Sequence, residues 1–164
     1  MNGLEIERKF LIKMPDKNIL ANLDGVTIAE IEQTYTTKGI RLRKWKESGK
    51  TVYIKTEKKH VSDLTRIETE SEITKEEYED LLSFADPERN TILKTRYRYP
   101  FCGKLIELDL FPFWKGQAFC EVELESEDET FSLPDFIEVI REVTSEKEYR
   151  NHALSKKIPQ EEKF

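Results

Sequence analysis

The sequence predicts an α+β protein organised around about eight antiparallel strands. Three observations carry this expectation: polar and apolar residues alternate with a period of two in eight separate stretches, tight-turn residues punctuate them, and only a few stretches carry helical periodicity.

The first stretch, "LEIERKFLI", sets Glu5, Glu7 and Lys9 on one parity and Leu4, Ile6, Phe10 and Ile12 on the other. "PDKNILANL" follows as a short helical candidate, and "DG" (Asp24, Gly25) turns the chain into "VTIAEIEQTYT". That second strand is the least regular, with Glu30, Glu32 and Thr34 opposite Ala29, Ile31, Gln33 and Tyr35. "GIRLRKW" opposes Arg41 and Arg43 to Ile40 and Leu42. After the turn "ESGK", "TVYIKTE" opposes Tyr53, Lys55 and Glu57 to Val52 and Ile54. "TRIETESEI" collects Arg66, Glu68, Glu70 and Glu72 on one side. The second helical candidate, "TKEEYEDLLSFA", opens on Thr74 with Glu77 three residues on, the pattern of a capping box. "ILKTRYRYPF" then sets Lys94, Arg96 and Arg98 against Leu93, Thr95, Tyr97 and Tyr99, and "CGK" turns into "LIELDLF", with Glu107 and Asp109 against Ile106, Leu108 and Leu110. Past "WKG", "FCEVELES" sets Glu121, Glu123 and Glu125 against Cys120, Val122 and Leu124. A longer helical region is expected over "LPDFIEVIREV" and "SEKEYRNHALSKK", and the tail "IPQEEKF" is expected to fray.

Residues 1–164 are read as one domain, since a chain of this length supports one sizeable core. The formal net charge of -6 disfavours a general nucleic-acid binder, whose affinity depends on a basic surface. No stretch approaches the ~20 apolar residues of a membrane span, and acids and bases interrupt the first residues, so a cytoplasmic protein is expected. Cys102 and Cys120 have no metal-like spacing, and with His60 and His152 the only histidines, a structural zinc site or a Ser/His or Cys/His nucleophile lacks its parts. Oligomeric state is not legible.

Two closed-sheet arrangements fit eight such strands. Either the apolar face fills a small barrel and the charges meet solvent, or the apolar face lies outside under the helices and the charges line a cavity. The helices carry apolar residues of their own (Ile19, Leu20, Leu23; Tyr78, Leu81, Leu82; Phe136, Ile137, Ile140, Val143) that need an apolar partner, and the charged faces are sorted by sign. Both observations favour the lined cavity without excluding the other. Basic rows supply counter-charges and bidentate donors to phosphate oxygens, whereas acidic rows need a cation in between. Oxygen ligands without His or Cys point to Mg²⁺ or Mn²⁺. A cavity of both signs thus suggests a metal-polyphosphate substrate, bound without a P-loop, because no GxxxxGK is present.

In chain order, "EIERK", the arginine pair of "GIRLRKW", the lysine of "VYIKTE", "RIETE", "LKTRY", "IELDLF", "FCEVELE" and "EVTSEKEYRNHAL" resemble the blocks of the CYTH domain. This is the triphosphate tunnel metalloenzyme superfamily, marked by an ExExK signature, which includes inorganic triphosphatases, thiamine triphosphatases and class IV adenylyl cyclases. The resemblance covers nearly the whole chain; "FPFWKGQAF" departs from it by lacking the Gly-Leu common before the last acidic strand. It implies an eight-stranded antiparallel tunnel with a charged interior and helices outside, a triphosphate held by Lys9, Arg41, Arg43, Lys55, Arg66, Lys94 and Arg96, and a divalent metal on Glu5, Glu7, Glu121 and Glu123. Glu68, Glu70, Glu107 and Asp109 are implied in orienting a second metal, in positioning the attacking water, or in holding the cations, with Lys9 and Lys55 beside the reacting phosphate. The expected activity is hydrolysis of tripolyphosphate by in-line attack of water. Hydrolysis of thiamine triphosphate, cyclisation of ATP and binding without turnover stand as alternatives. The resemblance also suggests that the C-terminal region closes one mouth of the tunnel.

Overall fold

The computed structural model describes residues 2–162, with side-chain burial from Leu4 onward. Nine strands, β1 (Asn2–Lys13), β2 (Thr27–Tyr35), β3 (Arg41–Glu47), β4 (Lys50–His60), β5 (Thr65–Ile73), β6 (Ile92–Phe101), β7 (Lys104–Leu110), β8 (Gln117–Glu123) and β9 (Val139–Glu142), alternate with short helices α1 (Lys17–Ala21), α2 (Lys75–Leu82) and α3 (Asn151–Leu154). All strand pairs are antiparallel. The order β5-β4-β3-β2-β6-β7-β8-β1 closes on itself through a β5–β1 pairing, so eight strands form a barrel and β9 is an addition.

Closure depends on β1 sharing one of its edges. Asn2–Ile6 pairs with β5, while Phe10–Ile12 on the same edge pairs with β9; the opposite edge, Glu7–Lys13, pairs with β8. Because β5 begins at Thr65, opposite Ile6, the later half of β1 would otherwise keep an open edge. Residues 139–142 fill it, and this corrects the helical expectation for "IEVIREV": a strand opened by the β-branched Val139 and Ile140 satisfies β1's backbone where a helix would not. The remaining C-terminal helical content is one 3₁₀ turn, Lys147–Tyr149, and α3. Ser48-Gly49 and Cys102-Gly103, both pairs at positive φ, make the two-residue hairpin turns into β4 and β7. The predicted capping box on α2 is present, with Thr74 accepting from the Glu77 backbone and Glu77 from that of Thr74.

Apolar residues form three clusters. Outside the sheet, Phe10, Ile12, Ile106, Leu108, Ala118, Cys120 and Val122 pack with Leu20 of α1 and with Leu124 and Ile137. A smaller outer cluster joins Leu42 and Ile73 to Tyr78 of α2. The third lies on the inner parity at one end of the barrel, where Leu11, Ile92, Phe111 and Phe119 meet Trp114, Val143, Tyr149 and Leu154 and form a plug. The tail is docked rather than frayed as far as Glu162. Trp114 Nε1 donates to the Pro159 carbonyl, Glu161 accepts from the Lys115 and Gly116 backbone, and Glu162 accepts from Arg141 and the Tyr149 hydroxyl. Among the described residues no helix is long and apolar enough to cross a membrane.

Candidate functional site

Register fixes which side chains face inward. Gln33 lies opposite Arg43 and Tyr35 opposite Arg41 across β2–β3; Arg96 lies opposite Asp109 and Arg98 opposite Glu107 across β6–β7; Glu107 lies opposite Glu121 across β7–β8; and Lys9 lies opposite Glu121 across β8–β1. These rows surround a cavity of about 300 Å³ lined by Glu5, Glu7, Lys9, Arg41, Arg43, Lys58, Arg66, Glu68, Arg96, Glu107 and Glu121, with Tyr35, Thr56, Arg150 and His152 at its wall. A second cavity of about 530 Å³ continues from Glu5, Arg43, Glu68, Arg96 and Glu107 to Glu70, Arg98 and Glu123 and to an apolar wall of Trp45, Val52 and Ile54. The interior is thus layered: plug, cationic chamber, then a partly apolar mouth.

The cations divide by partner. Lys94 and Arg96 are buried and bound to Asp109, with Lys94 Nζ at 2.9 Å and Arg96 donating from Nε and Nη2 at 2.8 and 2.9 Å. Burial disfavours the Asp109 charge, but these two cations outweigh it and hold the carboxyl far below the usual range. Lys9 donates to the Tyr149 carbonyl at 2.8 Å, lies 3.5 Å from Glu121 and sits 4.0 Å above the Phe119 ring centroid. Lys58 is 3.0 Å from Glu5 and 3.8 Å from Glu68, and Arg66 is 3.5 Å from Glu7. Among the described residues Arg41 and Arg43 make no ion pair. Arg41 Nε is buried without a hydrogen-bond partner, and Arg43 Nε donates to the amide oxygen of Gln33.

The acids are also unequal. Carboxylate oxygens of Glu7, Glu107 and Glu121 come within 4.8 Å of one another, an all-oxygen set of the kind that holds Mg²⁺ or Mn²⁺. Burial, then the neighbouring Glu121 and Glu5, push the Glu7 carboxyl up to about 8, whereas at Glu121 the effect of burial is overcome by Lys9, Arg96 and Lys94 and the pKa falls. Clustered like charges of this kind are relieved by a cation, so the donor set fits a divalent metal.

Most of the residues expected at the site converge there, but not all. Glu5, Glu7, Lys9, Arg41, Arg43, Arg66, Glu68, Arg96, Glu107 and Glu121 line the first cavity, and Glu70 and Glu123 line the second. Lys55 does not converge: it pairs in register with Leu42 and Ser71 on the outer parity of β4, and the cation β4 sends inward is Lys58. Asp109 is corrected as a metal ligand, because both its oxygens are taken by Lys94 and Arg96, and Lys94 is an anchor behind the cavity wall. The expectation that charges face inward also fails on β2, where Glu30 and Glu32 lie outside, opposite Lys46 and Lys44. Lys58, Gln33 and Tyr35 were missed. Continuing the parity of Thr56, which faces Arg41 across β3–β4, would have found Lys58.

The family model of the CYTH domain matches residues 3–152. The chain is 33% identical over 156 residues to an inorganic triphosphatase of Acetivibrio thermocellus, covering 94% of each chain. It is 36% identical over 161 residues to an inorganic triphosphatase of Nitrosomonas europaea, covering 94% of this chain and 99% of that one. Among solved structures, that of the inorganic triphosphatase NE1496 superposes with a TM-score of 0.56 at 31% identity, over 95% of this chain and 97% of the other.

Proposed function

The chain belongs to the CYTH domain family, and on that premise we propose that it is a divalent-cation-dependent triphosphatase whose substrate is inorganic tripolyphosphate. The observation that carries the reading is the pairing, in one cavity, of two arginines that have no carboxylate partner among the described residues, Arg41 and Arg43, with the Glu7, Glu107 and Glu121 cluster. The arginines bind and orient the phosphate chain through paired N–H donors. Lys9, Lys58 and Arg66 add charge, and their present contacts with Glu121, Glu5 and Glu7 hold them in place until an anion competes. Glu7, Glu107 and Glu121 would hold Mg²⁺ or Mn²⁺, which would supply positive charge to the phosphate oxygens and Lewis acidity beside the attacked bond. Glu68, beside Lys58 on the cavity wall, orients the attacking water in line with the leaving phosphate.

A second reading, a triphosphate ester such as thiamine triphosphate, draws on the apolar wall of Trp45, Val52 and Ile54 in the adjoining cavity. A matrix of Mg²⁺ and Mn²⁺ against tripolyphosphate, thiamine triphosphate and ATP separates the readings. Phosphate release that is fastest from tripolyphosphate is expected. Faster release from thiamine triphosphate selects the ester, cyclic AMP with pyrophosphate selects a cyclase, and binding without turnover removes the enzyme.

A further inference from the structure

Gln33 is fully buried on the inner face of β2, and both ends of its amide are used. Its Oε1 accepts from Arg43 Nε at 2.8 Å, and its Nε2 donates to the Tyr35 hydroxyl at 2.7 Å. The contrast with the next strand is chemical. Lys94 and Arg96, equally buried, are oriented by the Asp109 carboxylate, which fixes them and cancels charge in the same contact. Arg43 is oriented by a neutral group. A guanidinium that is to grip phosphate with two parallel N–H bonds must be held in one plane, since an immobilised fork loses little entropy on binding. An amide acceptor supplies that constraint and leaves the charge whole. The surroundings agree, because burial and the neighbouring Arg41 and Arg96 push Arg43 down to about 9, outweighing the opposing effect of Tyr35 and of Asp109, whose oxygens are bonded to Lys94 and Arg96 instead. At the other end of the amide, the Tyr35 oxygen accepts from Gln33, so its own proton is available to the cavity that Tyr35 lines.

We propose that Gln33 is a positioning residue for tripolyphosphate binding: it locks Arg43 in orientation without neutralising it, and so separates a working cation from the anchored pair on β6. This rests on the triphosphatase reading and refines its binding site.

The test uses Gln33→Glu, which keeps an acceptor for Arg43 but adds a charge, and Gln33→Met, which keeps much of the volume and removes both hydrogen bonds. The Arg43 Nε–H signal is followed by NMR alongside tripolyphosphate kinetics in Mg²⁺ or Mn²⁺. In Gln33→Glu the slowly exchanging signal is expected to persist while KM rises about tenfold and kcat changes less, because a charge felt in ground and transition states alike is removed. In Gln33→Met the signal is expected to be lost and kcat/KM to fall about tenfold, with the thermal midpoint recorded to separate misfolding. A role confined to packing predicts lower stability with unchanged KM. Wild-type KM in Gln33→Glu, or wild-type kinetics with a retained Arg43 signal in Gln33→Met, overturns the assignment. Should the wild-type protein neither bind nor cleave tripolyphosphate, the triphosphatase reading falls separately. The NMR signal then decides: present in wild type and Gln33→Glu but lost in Gln33→Met supports positioning, and the same in all three overturns it.

Discussion

At the scale of single residues, what a charged side chain does in this barrel is decided by its nearest partner rather than by its type. Lys55 and Lys58 make the point from one strand. Lys58→Ala is expected to raise KM for tripolyphosphate about tenfold, whereas Lys55→Ala leaves it near wild type, because Lys55 is on the outer parity. Steady-state kinetics on the two variants check this, and the reverse pattern would return the cradle to Lys55. Glu7→Gln is expected to lower metal-dependent turnover by about 100-fold or more. It should also leave the thermal midpoint of the metal-free protein at neutral pH unchanged or higher, because it removes an acid whose ionisation is opposed in the fold by burial, Glu121 and Glu5 but is free on unfolding. Activity close to wild type would remove Glu7 from the metal set. Glu107 and Asp109, two residues apart on one strand, were indistinguishable from their sequence. The difference arises from β6: Lys94 and Arg96 take both oxygens of Asp109, whereas Arg96 and Arg98 meet Glu107 at Oε2 alone and its carboxylate still comes within 4.8 Å of those of Glu7 and Glu121.

At the scale of elements, parity was legible wherever one face of a strand meets a thick apolar cover. On β1, β6, β7 and β8 the outer residues enter the large cluster, so apolar residues must lie outside and charges inside. The rule inverts on β2 and β4, whose outer faces have little cover beyond α2. There solvent takes Glu30, Glu32 and Glu57 and reaches the half-buried Lys55, and the inner face at that end can be apolar, with Ala29, Ile31, Val52 and Ile54. Single-strand alternation carries no information about which face is covered, which is why Lys58 was passed over. The cap of α2 was readable because it is a local interaction within four residues. Thr74→Ala is expected to cost about 1 kcal/mol in urea unfolding without altering KM, since α2 lies outside the barrel. β9 was unreadable for the opposite reason, its partner being more than a hundred residues away. Its attachment includes Glu142 Oε2, which accepts from Arg8 Nε at 2.9 Å. The Arg8 hydrogen bond holds the Glu142 carboxyl below its ordinary value of 4.5. A depressed acid contributes stability above its unfolded pKa and loses it as pH falls through the lower folded one. The stability gap between wild type and Glu142→Gln is therefore expected to be small and constant from neutral pH down to about 4.5 and to close below it, as acid titrations of denaturant unfolding would register. A gap that persists in acid would mean that the ion pair contributes nothing.

On the scale of the whole molecule, the sharing of β1 among three partners has a consequence for how the chain reaches this state at all. The strand that precedes all the others closes the ring by pairing with β5, with β8 and with β9, so its hydrogen bonds and the outer packing of Phe10 and Ile12 wait for residues near 65, 120 and 140. The hairpins β3–β4 and β6–β7, each turned by two residues, pay a short loop closure and can assemble alone. Ring closure cannot, and pairings of such sequence separation place a protein among slow folders. Refolding from urea is expected to show early recovery of hairpin structure and a later phase in which Trp114, in the plug beside Leu11 of β1, becomes shielded from quenchers. Simultaneous recovery of both signals would show that closure is not the late step. During synthesis the same arrangement leaves the Glu7–Lys13 half of the first strand without its β8 and β9 partners until more than a hundred further residues have emerged. Those intervening hairpins must fold beside an unpaired edge, and the alternating charges of "EIERK", which line the cavity of the finished barrel at Glu5, Glu7 and Lys9, are of the kind that discourages such an edge from pairing with another chain.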